Sequence, residues 1–120
     1  MEQFGLFIGT LMQSRNQAHI YHLQTKSFAE HKALQDYYEA IVDHIDTLVE
    51  TFQGRYGILY GYQMGGTIKE DGSTIVYFQA LCKFVEGIRS ALPQDSYLQN
   101  NVDEVVALIE STKYKLVNLK

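Results

Sequence analysis

Pro93 is the single proline in a chain of 120 residues. Proline disrupts a helix interior by ~3 kcal/mol, so its near absence leaves long stretches free to run as uninterrupted helices. The apolar pattern uses that freedom. Phe4, Phe7 or Ile8, Leu11, Arg15, Ala18 and Tyr21 or His22 recur at i,i+3/i+4 spacing and predict a first helix over residues 2–23. Ser27-x-x-Glu30 is a capping box. From it Leu34, Tyr38, Ile41, Ile45, Leu48 and Phe52 continue as the stripe of a second helix over 28–52, with Gly54 as its stop. A third helix, 73–92, turns Phe78, Leu81 or Cys82, Val85, Ile88 and Leu92 inward and is closed by Pro93, although its Thr74–Phe78 start is strand-like. A fourth, 96–117, buries Leu98, Val102, Val105, Ile109 and Leu116 behind a cap at Asp95 or Ser96.

Residues 54–72, GRYGILYGYQMGGTIKEDG, break the rhythm. Their glycines have neither the G-x-G-x-x-G nor the G-x-x-x-x-G-K-[ST] spacing of a phosphate loop. Asp71-Gly72 could turn a small β-hairpin, but the flanking runs are brief, and a long crossover with room for a short helix fits better. Gly5 and Gly9, four apart on the first helix, predict close packing against a neighbouring helix. The expected fold is all-α: a single domain over 1–120, built as a ferritin-like four-helix bundle with a Gly/Tyr-rich crossover between its second and third helices.

Composition narrows the function. With 46% hydrophobic and 20% charged residues the chain is globular rather than disordered. A net charge of −4 argues against binding nucleic acid through bulk electrostatics. Lys113, Lys115 and Lys120 make only a sparse basic end, suited to a helix C-terminus, and MEQFG carries no lysine-rich tail, so DNA binding is not expected. One cysteine, Cys82, reads as a small core hydrophobe in a reducing compartment. Residues 1–9 lack a basic n-region, and no apolar run approaches a membrane span, so a cytoplasmic protein with no membrane partner is expected. There is no G-x-S-x-G for hydrolytic chemistry.

The chemistry that remains lies between His19 and Glu50. His19, His31, Asp46 and Glu50 follow the pattern His-x11-His-x14-Asp-x3-Glu. Asp46 and Glu50 are i,i+4 and can share an ion. A turn at Thr25, midway between the two histidines, would place their imidazoles side by side. His31 and Asp46, however, lie ~22 Å apart along one helix, although their directions around its axis differ by only about 60°. A metal site from this quartet therefore has to be shared between chains. Two copies of the second helix would cross antiparallel about a two-fold near Glu39–Ile41, using Val42 and Val49 as the contact. Imidazole with carboxylate suits iron or zinc better than calcium. His22 and His44 read as structural or solvated.

That quartet, with Phe28 three before the second histidine and Tyr38 seven after it, resembles the Dps mini-ferritins over roughly Gln17–Gly54. The stretch also looks like short Dps-like proteins of bacteriophages. The resemblance implies a dodecameric shell with intersubunit ferroxidase centres, Fe(II) oxidised by peroxide or dioxygen, and ferric iron stored inside. Two positions depart from the family pattern: Gln35 stands where an acid is usual and Ile20 where a tryptophan is usual. The competing expectation is a non-catalytic assembly protein, for example a virion component, with a relict or zinc-binding site.

Overall fold

A computed structural model describes residues 2–120. It is all-α, with four helices: α1 Glu2–Gln24, α2 Phe28–Tyr56, α3 Thr74–Ile88, extended by a 3-10 turn over Arg89–Ala91, and α4 Ser96–Asn118. The expected stripes form the core. Phe4, Leu11, Leu34, Ile41, Leu48, Phe52, Phe78, Val85, Val102, Val105 and Ile109 are all buried together.

Caps explain where the helices begin. Ser27 Oγ accepts from the Glu30 N–H at 3.2 Å and Ser73 Oγ from the Val76 N–H at 3.2 Å. The reciprocal half of the Ser27 box is not made by Glu30. Instead the Ser27 N–H donates to Thr25 Oγ1 at 3.2 Å. The strand-like residues 74–78 are helical because the Ser73 cap and the burial of Phe78 outweigh their β propensity. Helix α2 does not stop at Gly54. It runs on to Tyr56 and ends at Gly57, whose positive φ of 95° is one that glycine adopts without strain. The extra turn matters, because Tyr56 Oη and Arg55 both reach the carboxylate of Asp95, at the start of α4.

Contacts set the directions. Phe4 stacks on Phe52 (4.3 Å between centroids), Ser14 Oγ meets Tyr37 Oη at 2.7 Å, and His22 meets His31, so α1 and α2 are antiparallel. Tyr37, not Tyr38, is the fully buried tyrosine of α2. Asp36 with Lys115, at one end, and Arg55 with Asp95, at the other, make α2 and α4 antiparallel. Cys82 with Glu110 and Arg89 with Gln99 do the same for α3 and α4.

Residues 57–73 contain neither the hairpin nor the short helix that the sequence allowed. They form an extended strap that runs the length of α1. The Gln63 N–H donates to the Gly5 carbonyl at 3.3 Å, and Gln13 Nε2 to the Gly66 carbonyl at 3.3 Å. The side chain of Gln17 both donates to the Lys69 carbonyl (2.7 Å) and accepts from the Lys69 N–H (2.6 Å), as a strand partner would. Gly5 and Gly9 do allow a close approach, but to this strap rather than to a helix. A Cβ at Gly5 would strike the Gly61 carbonyl, and one at Gly9 the Gln63 carbonyl.

Two predictions follow from these contacts. Gly9→Ala should lower stability by about 1–3 kcal/mol through overpacking against backbone. Gly54→Ala and Gly87→Ala, where an added methyl meets nothing within 4 Å, should instead gain up to about 1 kcal/mol of helix propensity. Urea midpoints for the three variants separate these outcomes. The second prediction concerns Asp95, whose carboxyl is held below its ordinary 3.8 chiefly by the Tyr56 hydroxyl. A depressed native value contributes stability above pH 3.8 that is lost as pH falls through it. The deficit in thermal midpoint of Asp95→Asn relative to wild type should therefore be present at neutral pH and shrink in acid.

Candidate functional site

The α1–α2 turn gathers three imidazoles, but not in the expected pairing. The ring lying against His31 is that of His22, stacked at 3.6 Å between centroids and 19° between planes. His22 Nδ1 lies 2.7 Å from the His31 carbonyl, and His31 Nδ1 lies 2.8 Å from the His22 carbonyl. A carbonyl only accepts, so each Nδ1 carries a proton and each Nε2 is left outside the clasp. His22, read as structural or solvated from sequence, is the structural half of a reciprocal clasp and is buried. His19 sits one turn back on α1, 5.9 Å from His22, and stacks on Tyr38 at 4.4 Å. The exposed ring of Phe28 lies 6.2 Å from His31.

The carboxylates are elsewhere. Asp46 and Glu50 lie exposed on the outer side of α2, together with Glu39, Val42 and Asp43. Neither takes part in an ion pair among the described residues. Val42 is 39% exposed, but Val49 is half-buried and packs on the core, so only the Val42 half of the apolar flank expected to face a partner is open in the single chain. Asp36, the acid nearest Gln35, is engaged by Lys32 at 3.2 Å and Lys115 at 3.7 Å. Among the described residues of one chain, no three histidine, cysteine, aspartate or glutamate side chains converge to hold a metal ion. His19 and His31 thus lie at one end of α2, and Asp46 and Glu50 lie further along it. Cys82 is half-buried against Glu110, and burial pushes its thiol up, away from reactive thiolate.

Residues 22–116 match a family of unknown function, DUF5856. The chain belongs to this family. It is also similar to a protein of Enterobacteria phage T4 described as an uncharacterized 14.6 kDa protein in the mobD-ri intergenic region. The two are 26% identical over 110 residues, covering 92% of this chain and 84% of the T4 protein. No solved structure matches. These findings overturn the resemblance to the Dps mini-ferritins, since the family found is DUF5856 and neither match is to a ferritin. The reason is physical: polar residues at fixed offsets arise readily on any pair of long antiparallel helices, and a quartet of them does not specify a family. No helix in the described residues of this DUF5856 chain is long and apolar enough to cross a membrane.

The sequence signal that could have found the clasp is the symmetry of His22 and His31 about the Lys26–Ser27 step in the turn. It predicts unequal roles for neighbouring histidines. His22→Phe keeps a ring against His31 but loses a hydrogen bond, and should cost about 0.5–1.5 kcal/mol. His19→Phe keeps the stack on Tyr38 and should change the urea midpoint by much less. Equal losses in the two variants would contradict the assignment.

Proposed function

We propose that the protein works as a homo-oligomer in which two copies of α2 cross antiparallel and share a divalent-metal site made from His19 and His31 of one copy and Asp46 and Glu50 of the other. Ferrous iron is the substrate on this reading, with zinc as the competing ion. One observation carries it: His31 has its Nδ1 proton committed to the His22 carbonyl. A backbone partner of this kind fixes the tautomer and orientation of a metal-binding imidazole, leaving Nε2 as the ligand. The unpaired Asp46 and Glu50 supply the negative charge that a divalent ion needs, and Val42 beside them is an uncovered apolar contact for a second α2.

The chemistry would be electron transfer from iron. Two Fe(II) ions, taken up in turn at one site, each give up one electron to one peroxide, which takes up two protons and leaves as two waters. The carboxylates favour the ferric product because they neutralise its higher charge. With Gln35 neutral and Asp36 engaged, each shared site holds one firmly bound ion. The dodecameric storage shell implied by the mini-ferritin resemblance falls with that resemblance, and the proposal requires only a two-fold pair. Two antiparallel helical hairpins joined by one long connection are consistent with ferritin-like connectivity, and this finer fold description is part of the same proposal. The setting would be the cytoplasm of an infected bacterium, in keeping with the T4 relative.

A second reading keeps the α2 pairing but not the turnover: an assembly protein of the phage particle. The observation favouring it is the His22–His31 clasp, in which each Nδ1 already fastens the hairpin to a backbone carbonyl with no ion needed.

Subunit mixing tests the first reading. His31→Ala and Asp46→Ala each remove opposite halves of every shared site, so each variant alone should lose Fe(II) oxidation. Mixed and allowed to exchange, they should recover part of it, because some pairs then carry one intact site. Failure of the wild type to take up stoichiometric Fe(II) under anaerobic titration would leave the assembly reading in its place.

A further inference from the structure

Tyr21 carries a buried polar group with nothing to bond. The residue is 4% exposed, and its hydroxyl has no hydrogen-bond partner among the described residues. Burying a hydroxyl unpaired is costly, which makes such a group a pointer to something that bonds it. Tyr21 also stands where two cavities meet. The larger, about 670 Å³, lies between α1, the strap and α3, with apolar walls from Leu6, Val76, Leu81 and Phe84. That volume is within the usual range for small-molecule sites. The smaller, about 330 Å³, shares Tyr21 and Asp71 with the first and adds Glu30 and Glu70.

The charges are uneven. Glu30, Glu70 and Asp71 take part in no ion pair among the described residues. Nor do they converge tightly enough to hold a metal ion. Lys69 is the one cation lining either cavity, and it lies on the larger, so the smaller is the acidic end. The cavities exist because the strap is held on α1 at Lys69 by the two Gln17 hydrogen bonds.

We propose that the joined cavities bind an organic amine with an apolar body, its ammonium group at Glu30, Glu70 and Asp71 and its body against the walls of the larger cavity. The ammonium donates one N–H to Tyr21 Oη and the others to carboxylate oxygens. Spread carboxylates beside an apolar chamber suit an ammonium carried on an apolar body better than a bare metal ion, which needs its ligands converged. The site lies on the strap side of α1 and is independent of the metal reading.

The test is calorimetric or NMR titration of the full chain with 4-phenylbutylamine, 4-phenylbutanol and 4-phenylbutyrate, which share a body and differ in the end group. The amine should saturate one site, and the carboxylate should not saturate at the same concentrations. Tyr21→Phe should weaken the amine about tenfold, the effect of one hydrogen bond to a charged group. Asp71→Asn should weaken it comparably, and Ala80→Trp, which fills the larger cavity from an exposed position on α3, should abolish binding. Tyr21→Phe removes an unpaired hydroxyl, so its unfolding midpoint without ligand should equal or exceed that of the wild type, which separates lost binding from lost fold. The proposal is overturned if the carboxylate or alcohol binds as tightly as the amine, if Tyr21→Phe leaves the amine's affinity unchanged, or if Ala80→Trp leaves amine binding intact. Absence of saturation by the amine overturns it as well.

Discussion

The backbone of residues 57–73 lies directly on α1, and most of the architecture depends on that contact. Helix α2 ends near the start of α1, at the Phe4–Phe52 stack, whereas α3 begins near the end of α1, at the Tyr21–Tyr77 edge contact. The chain must therefore travel the length of the molecule before α3 can start. It does so without a helix or a sheet to satisfy its peptide groups, and α1 supplies partners instead: the Gly5 carbonyl and the side chains of Gln13 and Gln17. Glycine at 5 and 9 removes the side chains that would hold the strap away. Helix α1 is consequently covered on two sides, by the bundle and by the strap, and buried Gln17 among its apolar neighbours is the mark of the second cover.

Helix limits were legible because they rest on local chemistry. Ser27 caps as its capping box requires, Pro93 follows the 3-10 turn after α3, and the stripes of α3 and α4 need only periodicity, whereas Ser73, read as the first residue of the third helix, is its cap. The failures share another cause. Gly54 looks like a stop, but a helix can pass through a glycine, and which glycine ends it depends on where a positive φ is needed, here Gly57. Gly5 and Gly9 announce a close approach without naming what approaches. Tyr37 and Tyr38 differ by one step around α2, and only the position of α1 and α3 decides that Tyr37 is the one fully enclosed.

The candidate site shows the same division. Spacing kept His31 and Asp46 far apart in a single chain, and the structure has them so, but it set the imidazole of His19 beside His31, where the structure has His22. Spacing could not show that His22 would take the place beside His31, since that depends on the rotation of α1 against α2 at the turn. The clasp that results has two consequences: it stiffens the hairpin, and it orients the one imidazole nitrogen through which His31 could act. The mini-ferritin resemblance did not survive comparison with known proteins, while the geometric reason for a shared site, the distance along α2, does not depend on it.

Both functional readings rest on α1 being held between the bundle and the strap, because the α1–α2 turn and the Tyr21 cavities are positioned by it. Amide hydrogen exchange measured residue by residue tests that most directly. The N–H groups of Gln63 and Lys69, bonded to the Gly5 carbonyl and Gln17 Oε1, should exchange far more slowly than those of strap residues such as Tyr62 and Thr67. Uniformly fast exchange across 57–73 would contradict the account, because it would mean that the strap does not lie on α1.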